Sequence, residues 1–286
     1  MRGNRIIRYG LGLGLAFLAT APVAAAPQIP LPPKSMSGLT VTPAYEGWYE
    51  NEDGTYSLSF GYYNRNEDEI IEIPVGSENM VGPAELPQNQ PTYFDEGRHW
   101  GTFVVRVPAD FGDQLVTWTL NTQGQTLMVP GHLKPEWAID ALGGGAHDNA
   151  PPTLRFEGGP EMMGPGGSGF VLGPLRTSVG EPVEIALYAD DAGVGPSIGG
   201  FSFGGGGANR VLATLTWIKH SGPGEVTFAE AMHRARDAEV ASVNSVTFGA
   251  PGEYVIRILA TDSGIATSGH AQCCWTNGFV AVSVNP

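Results

Sequence analysis

Residues 55–62 read TYSLSFGY. Tyr56, Leu58, Phe60 and Tyr62 fall on one side of an extended chain, while Thr55, Ser57, Ser59 and Gly61 fall on the other. A repeat of two with one large apolar side is the pattern of a strand that buries one face and wets the other. The stretch 51–54, NEDG, supplies a turn ahead of it. The repeat returns downstream with Phe103, Val105 and Val107 in HWGTFVVRVP and with Val116, Trp118 and Leu120 in QLVTWTL. QTLMVPG, 125–131, adds a last short strand to this set.

A second alternating set follows residues 141–153, ALGGGAHDNAPPT, whose glycines and prolines read as a linker. Its members are Val183, Ile185 and Leu187; Val211, Ala213, Leu215 and Trp217; Tyr254, Ile256 and Ile258; and Val280, Val282 and Val284. With 41 Gly and 23 Pro in 286 residues, turns are many and long periodic segments few. Only FAEAMHRARDAEV, 228–240, suggests a short helix. Two Gly-rich insertions, 158–174 and 193–207, read as long loops, and neither has the GxxxxGK[ST] spacing of a phosphate site. The fold class expected is all-β, two consecutive immunoglobulin-like or fibronectin-like sandwiches over 41–140 and 154–286.

The amino terminus, MRGNRIIRYGLGLGLAFLATAPVAAAPQIP, sets Arg2, Arg5 and Arg8 before an apolar run that Pro22 interrupts and Ala24, Ala25 and Ala26 close. This is predicted to be a signal peptide over 1–26, followed by a Pro-rich spacer over 27–40, and it implies a secreted or periplasmic protein. No later stretch is apolar for the roughly 20 residues that a membrane helix needs. The formal charge of −14 becomes −17 once the leader's three arginines are gone. Nucleic acid is excluded as a partner by that balance, because phosphate binding needs clustered Lys and Arg.

TLTWIKHSGPGEVTF, 214–228, followed by VTFGAPGEYVIRILATDSG, 246–264, resembles the PKD-like and related immunoglobulin-like modules of exported bacterial proteins. The resemblance rests on Trp217, Ser221, Gly222, Pro223, Gly224, Val226 and Phe228, then on Phe248, Pro251, Gly252, Tyr254, Arg257, Ala260 and Asp262, and it covers about 175–286. It implies a sandwich with a core tryptophan, and roles as spacer, binding or adhesion unit. The residues alone give a compatible picture. Trp217 lies on an apolar face, and Tyr254, just past a Pro-Gly turn, is placed to bury its ring while its hydroxyl reaches loop backbone, as in a tyrosine corner.

The only cysteines are Cys273 and Cys274 in HAQCCWTNGF, 270–279. Neighbouring Cα atoms stand about 3.8 Å apart, below the roughly 4.4–6.8 Å of ordinary disulfides, so a direct bridge distorts the peptide and closes no loop. The reading preferred in an oxidising compartment is a vicinal disulfide beside Trp275, offering a rigid platform to an apolar or sugar ring. A reduced buried pair, intermolecular bridges, or a soft-metal site completed by His270 remain as alternatives. The six histidines show no HxH or HExxH spacing, and GGSGF, 166–170, lacks the G-x-S-x-G elbow. No enzyme is therefore expected. Asp190, Asp191 and Asp262, at strand ends of the second sandwich, are candidate calcium ligands, although the EF-hand spacing is missing and strand-end Asp residues commonly close turns. Trp48 and Tyr63 are candidate glycan-stacking residues. The function expected is a non-catalytic binding or adhesion protein of the bacterial envelope, with a glycan or another envelope protein as partner. The alternatives are a structural accessory subunit and, last, an extracellular hydrolase.

Overall fold

The computed structural model describes residues 35–142, 150–166, 171–191, 197–198, 201–202, 211–262 and 274–286, whose regular structure is strand apart from one 3-10 turn, Pro135–Trp137. The first sandwich is made of β1 (Val41–Glu50), β2 (Tyr56–Asn64), β3 (Asn79–Gly82), β4 (Gly97–Val107), β5 (Val116–Thr122) and β6 (Gln125–Gly131). β1 and β2 form a hairpin through the turn expected at 51–54, where the Gly54 amide donates to the Asn51 carbonyl at 2.9 Å. The sheets run β1-β2-β4 and β3-β5-β6, with every pairing antiparallel. Leu58, Phe60, Phe103, Val105, Trp118 and Leu120 fill the space between them. Trp118 meets Phe103 edge-on at 4.9 Å, and its Nε1–H donates to Asn79 Oδ1 at 3.0 Å, so the one polar atom of the ring is satisfied inside the core.

The second sandwich is made of β7 (Thr153–Phe156), β8 (Val171–Ser178), β9 (Val183–Asp190), β10 (Ala213–Ser221), β11 (Val226–Phe228), β12 (Met232–Ala235), β13 (Ser242–Phe248), β14 (Gly252–Asp262) and β15 (Trp275–Asn285). One sheet runs β7-β9-β13-β11 and is extended beyond β7 by the two-residue strand Glu161–Met162. The other runs β8-β15-β14-β10-β12, with β8 parallel to β15 and the remaining pairs antiparallel. In each sandwich the last two long strands, β5 and β6 or β14 and β15, join a strand from the middle of the chain, β3 or β10. The early strands and the strand before the final hairpin make the facing sheet. This is the immunoglobulin-like arrangement.

The residues singled out for the second core behave as the sequence implies. Trp217 is buried among Leu215, Ile258, Val280 and their neighbours. Tyr254 is buried at the start of β14, and its hydroxyl donates to the Ala250 carbonyl at 2.8 Å, which is the tyrosine-corner geometry. Two expectations are corrected. The segment 228–240 holds no helix: β12 pairs along β10, with Ala213 opposite Ala235 and Leu215 opposite His233, and only Ala235 of that segment is buried, so no apolar helical face existed to be covered. The insertion 158–174 is not loop throughout, because β8 begins at Val171 and runs beside β15. Of the proposed linker, residues 143–149 lie outside the described residues; Ala141, Pro151 and Pro152 are buried.

Replacing Tyr254 with Phe keeps the ring and deletes the corner hydrogen bond. Urea unfolding of Tyr254→Phe is expected to show a loss of about 1 kcal/mol; an unchanged midpoint would mean that the corner is ornamental.

Candidate functional site

Alternation along the strands gives each sheet a second, outward face, and here two such faces meet. Tyr49, Ser57 and Arg106 stand opposite one another on the outward face of β1-β2-β4, and Val104 joins them there opposite Ser59. Val255, Arg257 and Leu259 point out of β14, and Trp275, Asn277 and Phe279 out of β15. Ser57 and Ser59, which the sequence reads as a wet face, are buried for this reason. The seam is stitched by backbone and side chain alike. The His220 carbonyl accepts from the Thr92 amide at 2.9 Å, and His220 Nε2 donates to the Asn89 carbonyl at 2.9 Å. Asn277 Nδ2 donates to the Gly101 carbonyl at 2.7 Å, and the Gly166 amide donates to the Tyr49 hydroxyl at 3.2 Å. Lys219 Nζ reaches Glu72 at 2.8 Å and lies 4.7 Å from the centre of the Tyr93 ring.

At the middle of the seam Arg257 is 3 % exposed, and its Nε and Nη1 have no hydrogen-bond partner. Its charge acts on His220 of its own sandwich and on His99, Asp95 and Tyr62 of the other. Burial, and then Arg257, hold the His99 imidazole down to about 4 and the His220 imidazole down to about 3, so both rings are neutral at pH 7. Asp95 is pushed up, mainly by burial and then by Glu96, while Arg257 opposes that rise. Arg257 itself is held below the ordinary guanidinium range by burial, with Tyr62 and Asp95 pulling the other way.

Beside this polar centre the two outward faces part to leave a cleft of about 710 Å³. Its lining is largely apolar, with Val104 from the first sandwich and Val255, Phe279, Met162, Met163 and Val171 from the second. Glu52, Asp53, Glu161 and Arg106 stand around it, with Arg106 held by Asp53 at 2.8 Å. Gln88, Asn89 and Gln90 lie along a further wall next to His220. The Gln90 amide has a fixed orientation. Its Nε2 donates to the Asn79 carbonyl at 3.1 Å and to Gln88 Oε1 at 3.1 Å, and both partners are acceptors. Gln88 is fixed in turn, accepting from the Val81 amide at 3.0 Å and donating to the Val81 carbonyl at 2.7 Å. Gln90 Oε1 is therefore an acceptor in a residue only 1 % exposed, and it has no partner. His220, donating from Nε2, keeps the lone pair of Nδ1.

The residues proposed from sequence are scattered. Trp275 is 4 % exposed and packs on Gly101, where an added Cβ would stand 2.5 Å from its Cζ2. Its ring therefore has no open face to offer a ligand. Cys274 is buried beside it; Cys273 and His270 lie outside the described residues. Trp48 is half-buried, donating from Nε1 to the Lys134 carbonyl at 2.8 Å, and it pairs across from Leu58. Tyr63 is exposed and pairs across from Thr42, five positions further along β2, so the two rings cannot form one stacking surface. Asp190 accepts from the Asp191 amide at 2.7 Å, and Asp191 is buried. Asp190 ends β9 and Asp262 ends β14, in different sheets, and the Asp262 side chain lies outside the described residues. Among the described residues no three His, Cys, Asp or Glu side chains gather as a metal would require.

Sequence reasoning passed over Gln90, and gave Arg257 and His220 no role in a seam. A signal was present in GEYVIRILATD, where the supposed wet side of the strand reads Val255, Arg257, Leu259, too apolar for a face in water.

No known family matches the chain, and neither does any curated protein. Among solved structures, the D00-D0 domain of intimin is similar at 9 % identity with a TM-score of 0.30, covering 86 % of this chain and 100 % of its own. Domains 4 and 5 of the S-layer protein SbsC give 9 % identity and a TM-score of 0.26, covering 79 % and 90 %. The titin Ig tandem A164-A165 gives 10 % identity and 0.21, covering 86 % and 99 %. The architecture stated above rests on the strand pairings rather than on these likenesses.

The neutral histidines give the seam a pH signature. A folded-state pKa below the unfolded value of about 6.5 contributes stability that is complete above that pH and is lost as the pH falls toward about 3. Asp95, raised in the folded state, runs in the opposite direction and offsets part of the loss. Substituting His220→Gln is expected to shrink the drop in unfolding free energy between pH 7 and pH 5 by about 2 kcal/mol. Denaturant titrations of both proteins at the two pH values measure this, and identical drops would show that His220 does not titrate with unfolding.

Proposed function

We propose that the protein is an exported, non-catalytic binding protein of the bacterial envelope or extracellular space, and that it takes its ligand in the cleft between its two sandwiches. The observation that carries this reading is a mostly apolar space of about 710 Å³ whose lining also includes the polar side chains of Gln88, Asn89 and Arg106. A few fixed polar groups set in an apolar concavity are the usual make-up of a small-ligand site. The leader read from residues 1–26 supports export, and among the described residues no helix is long and apolar enough to cross a membrane. A binding role without catalysis is supported by His220, whose Nε2 is committed to the Asn89 carbonyl and whose buried ring is a poor proton carrier near neutral pH.

A structural-subunit reading has one observation of its own. Met80 and Met128 are exposed and flank Thr119 in register across β3-β5-β6, giving that sheet an apolar outer stripe. For the cysteines, a vicinal disulfide remains our assignment, supported by the absence of a free cysteine among the described residues. Intact mass of the purified protein should then lie two hydrogens below that of the reduced form, with no covalent dimer.

Two-dimensional NMR against a mixed library of small molecules tests the cleft. Ligands are expected to shift the amides of Val104, Val255 and Phe279 together, and Val171→Trp, a substitution at an exposed position on the cleft wall, is expected to weaken those ligands at least tenfold. Binding scattered over other surfaces, or unaffected by Val171→Trp, would reject the site.

A further inference from the structure

The buried polar groups of the chain are unevenly answered. In the cores Trp118 Nε1 has Asn79, and the Tyr254 hydroxyl has the Ala250 carbonyl. Along the seam many have nothing. Among the described residues, six of the seven buried side-chain atoms without a hydrogen-bond partner belong to Ser59, Gln90, Arg257, Trp275 and Asn277, on the facing strands or in the loop that meets His220. Opening the seam gives each of these groups a partner in water, a gain that opening a core does not bring. The seam is therefore the joint that yields before either sandwich does.

Acid acts on that joint. His220 lies where the pairing of β10 with β14 shifts register, and it is tied to the first sandwich twice, by its carbonyl to the Thr92 amide and by its ring to the Asn89 carbonyl. The residue is buried, its ring meets Phe279 edge-on at 5.3 Å, and the charge that bears on it is Arg257. On the first sandwich His99 stacks on Tyr62 at 4.6 Å, and its Nε2 holds the Glu96 carbonyl at 3.0 Å. Arg257 and Arg98 bear on His99, Arg98 being paired with Glu46; Lys219, next to His220 in the chain, is paired with Glu72. Among the described residues the charges bearing on the two rings are thus all positive. A proton added to either ring sets another cation near a buried guanidinium, where screening is weak. Asp95, with Glu96 beside it, works the other way: burial raises it in the closed seam, so its protonation favours closure and offsets part of what two histidines lose.

We propose that the seam is an acid-opened joint, in which protonation of His220 and His99 drives the two sandwiches apart while each keeps its own fold. The lining of the cleft comes from both sandwiches, so its walls part with the seam whether or not a ligand is bound there. Closure is complete above about pH 6.5, the value to which an exposed imidazole returns, and is lost progressively below it, because the closed form holds His99 at about 4 and His220 at about 3. At pH 5 each histidine lowers the closing equilibrium by up to about thirtyfold, less what Asp95 returns.

Amide hydrogen exchange of the full chain, followed by NMR at pH 7 and at about pH 4.5 and expressed as protection factors, tests this. The Thr92 amide, which donates to the His220 carbonyl, and the Gly166 amide, which donates to the Tyr49 hydroxyl, both cross the seam. Both are expected to lose at least tenfold in protection in acid while the amides of β5 and β13 keep theirs, and small-angle scattering is expected to show a longer particle with no unfolded chain. Unchanged protection of Thr92 and Gly166, or a loss shared equally by β5 and β13, overturns the joint. His220→Gln retains a donor for the Asn89 carbonyl but does not titrate, and it is expected to lower the pH at which the two amides open. Arg257→Met removes the cation that both rings face and is expected to move the opening in the same direction. An opening pH left in place by both variants overturns the role of the histidines; should His220→Gln be open already at pH 7, Arg257→Met decides.

Discussion

One buried guanidinium constrains how the two sandwiches meet. Arg257 carries its charge where water does not reach, and an isolated ion in such a place costs several kcal/mol unless its surroundings answer it. The answer here is spread out. Tyr62 and Asp95 on the first sandwich pull the charge toward the seam, while the nearby imidazoles of His99 and His220 are kept neutral so that no second cation is added. An arrangement of this kind tolerates little displacement, because sliding the faces apart takes Tyr62 and Asp95 away from Arg257. The cleft inherits its shape from that constraint, since the walls it uses are the same outward faces a few residues further along β4, β14 and β15.

The seam also explains a substitution the chain does not tolerate easily. Gly101 sits at φ +47° directly under the Trp275 ring, so a side chain there meets both a disfavoured backbone and an occupied volume. Asn277 hydrogen-bonds the Gly101 carbonyl from the next outward position of β15. Trp275, Asn277 and Phe279 are thus three successive outward residues of a single strand, the first two spent on the neighbouring sandwich and the third on the cleft wall.

Much of the architecture was legible because period-two patterning reports which side of a strand is apolar. The cores around Trp118 and Trp217, the hairpin at 51–54 and the Tyr254 corner all follow from it. Patterning does not report whether the other side is wet. Ser57, Ser59 and Gly61 look like a solvent face, yet small polar residues also suit a face pressed against another sheet, and these are buried. The cleft escaped the sequence for a related reason. Gln88, Asn89 and Gln90 read as an unremarkable loop, and their importance comes from the direction of hydrogen bonds that only the folded backbone fixes. Trp275 misled in the opposite sense: an aromatic beside two cysteines suggests a display surface, whereas β15 turns it inward against Gly101.

The parallel pairing of β8 with β15 has a mechanical side. A pull on the carboxy-terminal end of β15, resisted through the chain that enters β8, draws the two strands past each other lengthwise. The rungs from Val171 opposite Phe279 to Ser178 opposite Asn285 then share the load at once, instead of parting one after another as they would in a peeled hairpin. Tension along that axis would load the β8–β15 joint in shear, a consequence of the parallel register alone.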